Sequence, residues 1–242
     1  MITLTLIIIL AFILVSVFTS TLITDWFWFK DLGFQSVYIT SLTSSLGLRI
    51  LTGVFFFLVI YVNLSLTKRY LNSEPEVIEG ENVVPIRKYV VERFFDKKRL
   101  NMIFLIASIA LALLFSSAAS GNWLMVQQFF HQTSFGIREP IFNFDASFYV
   151  FSLPFFRMLY SLLFSAIIAS LLAAGTAYFM FGPKNFFDFK DNRINQPKVH
   201  LSMLLAVLFV LKGLDYLLDG YSLLNKPGGV VYGPGYTDVH IM

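Results

Sequence analysis

Phe155–Phe181 reads FFRMLYSLLFSAIIASLLAAGTAYFMF, and this stretch decides the class of the protein. Its only charged residue is Arg157, near the start. A bilayer's hydrocarbon core is about 30 Å thick and a helix rises about 1.5 Å per residue, so roughly 20 mainly apolar residues cross it. Four other stretches meet the same test: Ile2–Thr24, Ile39–Leu66, Leu100–Ala119 and Val199–Leu218. Each is expected to be helical, because in lipid a helix alone satisfies its own N–H and C=O groups within one segment. The expectation is an all-α, polytopic transmembrane helical bundle of about five spans, with aromatic-rich extracytoplasmic loops and the lipid bilayer as its first partner.

Composition excludes the main alternatives. Hydrophobic residues make up 57% of the 242 residues and charged residues 14%, against about a quarter charged in a soluble domain. There is no cysteine, which removes disulfides, thiolate catalysis and Cys-ligated metal centres. A net charge of +3 is too small to indicate a nucleic-acid partner. Ile2–Thr24 lacks a basic leading region and a small-x-small site before Asp25, so it reads as a retained first helix rather than a cleaved leader.

The distribution of charge sets the expected orientation. Thr67–Arg99 and Gly182–Lys198 together carry twelve Lys and Arg, whereas the opposite side carries four: Lys30, Arg138, Arg157 and Lys226. The positive-inside rule then places the N-terminus in the cytoplasm and the C-terminus outside the cell membrane. Within the first basic loop, Asn72–Pro85 reads as an acidic solvated connector. Ile86, Tyr89, Val90 and Phe94 lie at helical spacing, which fits either an interfacial amphipathic helix or a polar extension of the third span.

Three outer segments are aromatic instead of hydrophilic: DWFWFKDLGFQSVY (Asp25–Tyr38), Ser120–Pro154 with its core FNFDASFYVFSLP, and LDGYSLLNKPGGVVYGPGYTDVH (Leu218–His240). Their candidate motif residues are Asp25, Trp26, Asp145, Tyr149, Tyr236 and Asp238. Asp25 and Asp145 each stand shortly before a span entering from outside, which hints at a repeated hairpin unit. Trp26, Trp28 and Trp123 suit the headgroup layer. The glycine-rich GGVVYGPG (Gly228–Gly235) opens no predicted helix and reads as turns, not as a phosphate loop.

Ionisable residues within spans are costly, about 2.5–3.5 kcal/mol each on insertion scales, so each needs a reason. Arg49 reads either as a pathway residue or, as favoured here, as a side chain snorkelling to the outer interface. Lys212, Asp215 and Asp219 fall on one stripe of the fifth helix; the simpler reading pairs Lys212 with Asp215 and leaves Asp219 in water, and the sharper one makes the stripe a cation or proton site. His131, His200 and His240 show no metal-ligand spacing, and neither a metal nor another cofactor is expected. An outer site assembled from His131, Asp145 and Asp238 is the weaker possibility. Ser108, Ala107, Ala110 and Ala112 in the third span, and Ser165, Ala166, Ala169, Ser170, Ala173, Ala174 and Gly175 in the fourth, form small-residue faces suited to close helix packing.

DWFWFKDLGF, then FNFDASFYVFSLPFF, then DGYSLL with YGPGYTDVH, resemble in order and spacing the uncharacterised multi-pass membrane protein family numbered 0182. Glu139 stands where the family pattern has Asp before proline, Gly220 where it has a basic residue, and Pro234 interrupts a small-residue pair. The resemblance covers nearly the whole chain. It implies about seven N-terminal spans followed by a large extracytoplasmic region, and makes this chain an N-terminal part of such a protein. No activity transfers with it. The leading functional expectation is a non-enzymatic membrane anchor and assembly domain of a cell-envelope protein, acting with a second copy or with other envelope proteins. The alternatives are a transporter or channel component, and an outer-face enzyme acting on lipid-linked substrate.

Overall fold

A computed structural model describes residues 2–71, 97–181, 196–225, 227–228, 231–233 and 235–236. The described chain is helical almost throughout: α1 (Ile2–Asp31), α2 (Gln35–Leu71), α3 (Lys97–Ser120), α4 (Trp123–Phe130), α5 (Leu153–Phe181) and α6 (Gln196–Ser222). A two-residue antiparallel ladder, Pro227–Gly228 with Val231–Tyr232, follows α6. The segments 35–69, 98–120, 148–181 and 196–222 are long and apolar enough to cross a membrane, which points to a membrane location. The interfacial helix expected near Ile86–Arg99 falls largely outside the described residues.

The chain divides into two compact units, Met1–Gly47 and Leu48–Met242. In the first, the aromatic stretch expected to be an outer loop is mostly helix. Asp25–Asp31 continues α1, and the reversal is confined to Leu32–Phe34. Gly33 permits this with φ +76°. The Phe34 amide donates to the Phe29 carbonyl (2.9 Å) and the Gly33 amide to the Lys30 carbonyl (3.1 Å), the paired bonds of a Schellman helix stop. Tyr38, one turn into α2, donates its hydroxyl to the Leu22 carbonyl (3.0 Å) and packs its ring on Phe29 and Trp26.

In the second unit, the small-residue faces do what their spacing implies, within the chain. Phe56, Ile60 and Leu64 of α2, Leu100, Phe104 and Ala112 of α3, and Ala166, Ala169 and Ala177 of α5 form one buried cluster. Phe56 stacks on Phe115, ring centroids 4.7 Å apart. A second cluster joins α5 to α6 through Ala174, Tyr178 and Leu204. Lipid tails are as apolar as these side chains, so close packing and hydrogen bonding, rather than exclusion of water, hold such helices together. Ser165 bonds the Ser161 carbonyl of its own preceding turn, and the Ser170 hydroxyl is buried with no hydrogen-bond partner among the described residues.

Gly53 lies where α2 faces α3 closely. A Cβ built there would sit 3.4 Å from the Ser116 Cβ. Gly53→Ala is therefore expected to stay within about 1 kcal/mol of wild type, while Gly53→Leu overpacks the seam and costs about 1–3 kcal/mol. Denaturation in mixed detergent measures both. Equal stability of the two variants would contradict this packing.

Pro154 explains the entry into α5. Proline has no N–H and its ring collides with the carbonyl four residues back, here Val150. The chain widens into a π-turn, Phe148–Ser152, in which the Leu153 amide reaches back to the Phe148 carbonyl.

Candidate functional site

Two polar constellations lie at the end of the second unit that carries the α3–α5 connection. The first is the connection itself. Asp145 stands before the π-turn and organises it: the Ser134 hydroxyl donates to Oδ2 (2.6 Å), the Gly136 amide to Oδ2 (2.9 Å), and the Phe135 and Ser147 amides to Oδ1 (3.0 and 2.8 Å). An antiparallel bridge joins Arg138 to Asp145 along the backbone. The Ser134 hydroxyl, then Ser147 and the Phe135 amide, hold the Asp145 carboxyl well below the usual carboxylate range. Glu139 does the same for the loop tip. It accepts from the Ile141 amide (2.6 Å), the Phe142 amide and the buried Tyr149 hydroxyl (3.0 Å). Burial alone would raise its carboxyl; the two amides and the tyrosine outweigh it and hold the group low.

These carboxylates build the loop. A carboxyl whose pKa falls on folding contributes fully above its unfolded value, about 4, and loses that contribution as pH drops through the lower folded value. The loop is thus expected to resist proteases equally at pH 7 and pH 5 and to open in stronger acid. Asp145→Ala should raise its cleavage rate at pH 7 by roughly tenfold, through local opening. Cleavage of the variant at the wild-type rate would refute this role.

The second constellation joins α5 to α6. Arg157 Nη2 donates to Asp219 Oδ1 (2.6 Å) and to Ser222 Oγ (2.7 Å), and its Nε also reaches Ser222 (3.0 Å). Asp215 lies 3.9 Å from Arg157 Nη1 and accepts from Lys212 Nζ (2.9 Å), which also stands 5.4 Å from the Phe164 ring centre. The stripe Lys212–Asp215–Asp219 exists as expected. Asp219, expected to rest in water alone, is instead ion-paired, because the antiparallel α5 brings Arg157 to its level. The Tyr160 hydroxyl is buried beside this pair, facing Asp215.

A third network sits at the opposite end of the same helices. The donor–acceptor order there fits a neutral imidazole: the Tyr178 hydroxyl meets His200 Nδ1 (3.0 Å), and His200 Nε2 meets Asn63 Oδ1 (3.1 Å). Asn63 turns its amide nitrogen to the Val59 carbonyl (2.7 Å), leaving its oxygen to accept. His200 and Asp219 are nineteen residues apart in α6, about 28 Å along a helix, close to the thickness of a hydrocarbon core. The spacing of the two polar clamps thus matches the distance between the two faces of a hydrocarbon core.

The remaining sequence candidates are dispersed. Arg49 is exposed and reaches Ser120 Oγ (3.3 Å) at the last residue of α3, the level expected for a snorkelling side chain. Trp26 packs on Tyr38, Asp25 is exposed within α1, and Tyr236 is exposed. Asp25 caps no helix and is not the counterpart of Asp145. His131 Nδ1 bonds the Gln127 carbonyl (2.9 Å) at the end of α4; Asp238 and His240 lie outside the described residues. Among the described residues no His, Cys, Asp and Glu cluster could hold a metal ion. Sequence reading passed over Arg157, Asn63 and Tyr178. Their signal was available only jointly with topology, since each matters through a partner on another helix.

The sequence profile described as an uncharacterised protein family, UPF0182, matches residues 1–242, and the chain belongs to that family. A UPF0182 protein of Moorella thermoacetica is 38% identical over 98% of this chain and 26% of its own length. Those of Desulforamulus reducens and Pelotomaculum thermopropionicum are 37% and 36% identical over 89% and 96% of this chain. The chain spans about a quarter of the length of these curated relatives. No solved structure matches it.

Proposed function

We propose that this UPF0182 chain is a membrane anchor and assembly module of a larger cell-envelope protein, with its N-terminus cytoplasmic and its α3–α5 loop outside. One observation carries the reading: the ionisable side chains that a membrane-embedded site would use are engaged in holding the fold. Asp145 and Glu139 bind backbone amides, and Arg157, Lys212, Asp215 and Asp219 bind one another. The charge asymmetry of the loops supports the orientation.

A transport component is the second reading, and it draws on the buried Tyr160 hydroxyl beside Asp215. Reconstituted vesicles separate the two. The anchor reading expects proton and sodium flux no faster than in protein-free vesicles, and Asp215→Asn to lower thermal stability alone. Wild-type flux that Asp215→Asn abolishes, with folding intact, would replace the anchor by a transporter.

A further inference from the structure

The α3–α5 connection holds one charge that its folding does not use. Between Gly121 and Phe156 the only Lys or Arg is Arg138, and the only acids are Glu139 and Asp145. Both acids are surrounded by donors. The Arg138 side chain is exposed and makes no hydrogen bond or ion pair among the described residues. Asn143, at the hairpin tip with φ 60°, donates its backbone N–H to the Glu139 carbonyl (3.1 Å), while its side-chain amide makes no hydrogen bond among the described residues. Both line an open cleft of about 500 Å³ with Ser134, Gly136, Phe144 and Asp145.

The surroundings of this cleft match a membrane headgroup layer. Phe130 and Ile137 are 71% and 70% exposed, and Leu124, Phe135 and Ile141 are exposed too. A loop in water does not carry so many bare apolar side chains; a loop lying in the headgroup layer does. In that layer the abundant anion is phosphate, and a guanidinium presents two parallel N–H groups that match its oxygens. Asp145 lies on the cleft wall, but its oxygens are already turned toward the four donors that fold the loop.

We propose that this cleft binds the phosphate of a membrane phospholipid headgroup, with Arg138 forked on the phosphate oxygens and the Asn143 amide as second donor. The test uses the purified full chain, stripped of lipid in detergent and titrated with a short-chain phosphatidylglycerol under native mass spectrometry. One tightly held lipid is expected per chain. Arg138→Gln should weaken it by roughly tenfold or more, Arg138→Lys by less because charge remains without the fork, and Asn143→Ala by several-fold. Diacylglycerol, which lacks phosphate, and glycerol phosphate, which lacks tails, should each fail to displace the lipid. The Arg138 variants should keep the wild-type thermal midpoint, as that side chain does not hold the loop, whereas Asn143→Ala should lower it slightly because alanine is strained at φ 60°. Asn143→Gly, which accepts that φ, should weaken the lipid by the same several-fold. Undiminished lipid binding by both Arg138→Gln and Asn143→Ala would overturn the proposal. Displacement by diacylglycerol would reduce the site to an apolar one, and displacement by glycerol phosphate would make the ligand a soluble phosphate; either result also overturns it.

Discussion

His200→Leu is expected to destabilise the α2–α5–α6 packing by about 3 kcal/mol. The substitution keeps volume and removes polarity. It takes the Nδ1 acceptor from Tyr178 and the Nε2 donor from Asn63, groups held at a site where the histidine is 6% exposed. Interhelical hydrogen bonds in membranes average about 0.6 kcal/mol and reach about 1.7, while a buried group that loses its partner costs about 1–3 kcal/mol. Two such losses set the figure. His200→Gln should cost less, about 1 kcal/mol, because its amide N–H can still meet the Asn63 oxygen while the bond to Tyr178 is lost. Unfolding in mixed detergent measures both. A leucine variant as stable as wild type would show that the network contributes nothing beyond packing.

Arg157→Leu is the second large effect, expected at about 2 kcal/mol. It lies between the 0–1 kcal/mol of an exposed ion pair and the 3–5 kcal/mol of breaking a buried one. The intermediate value follows from the geometry: Arg157 and Asp219 side chains are 35% and 57% exposed, but Asp215 is only 16% exposed. Without the guanidinium, Asp219 loses its 2.6 Å partner and Asp215 retains Lys212. A double-mutant cycle of Arg157→Leu with Asp219→Asn isolates that pair, and a coupling of about 1 kcal/mol is expected, discounted for exposure. Strictly additive effects would assign the loss to packing of the arginine stem.

Together these two clamps give the anchor reading its physical content. α5 and α6 are tied at both ends by polar contacts and along the middle by Ala174, Leu204 and their neighbours, so the pair behaves as one stiff element. The α3–α5 loop then rises from a base tied by both clamps.

The amino-acid sequence by itself determined that this is an all-α protein with helices of membrane-spanning length, because both properties depend on local composition and on backbone groups that must be satisfied within a segment. It also determined which helical faces are small enough to touch, and that Lys212 and Asp215 share a stripe. Tertiary structure alone decided the rest. Asp145 looks in sequence like an outer motif residue that an outer site could use, and becomes the organiser of a loop once Ser134, Phe135 and Gly136 fold back onto it from nine to eleven residues away. Arg157 looks like one basic residue in an orientation count, and becomes the partner of Asp219, 62 positions later. His200 looks like the start of a helix, and joins Asn63 across 137 positions. Hydrophobic length is additive along a chain, and sequence exposes it directly. The role of a charge depends on what stands within about 4 Å of it, and for Arg157 and Asp145 those neighbours are set by how the chain folds back on itself.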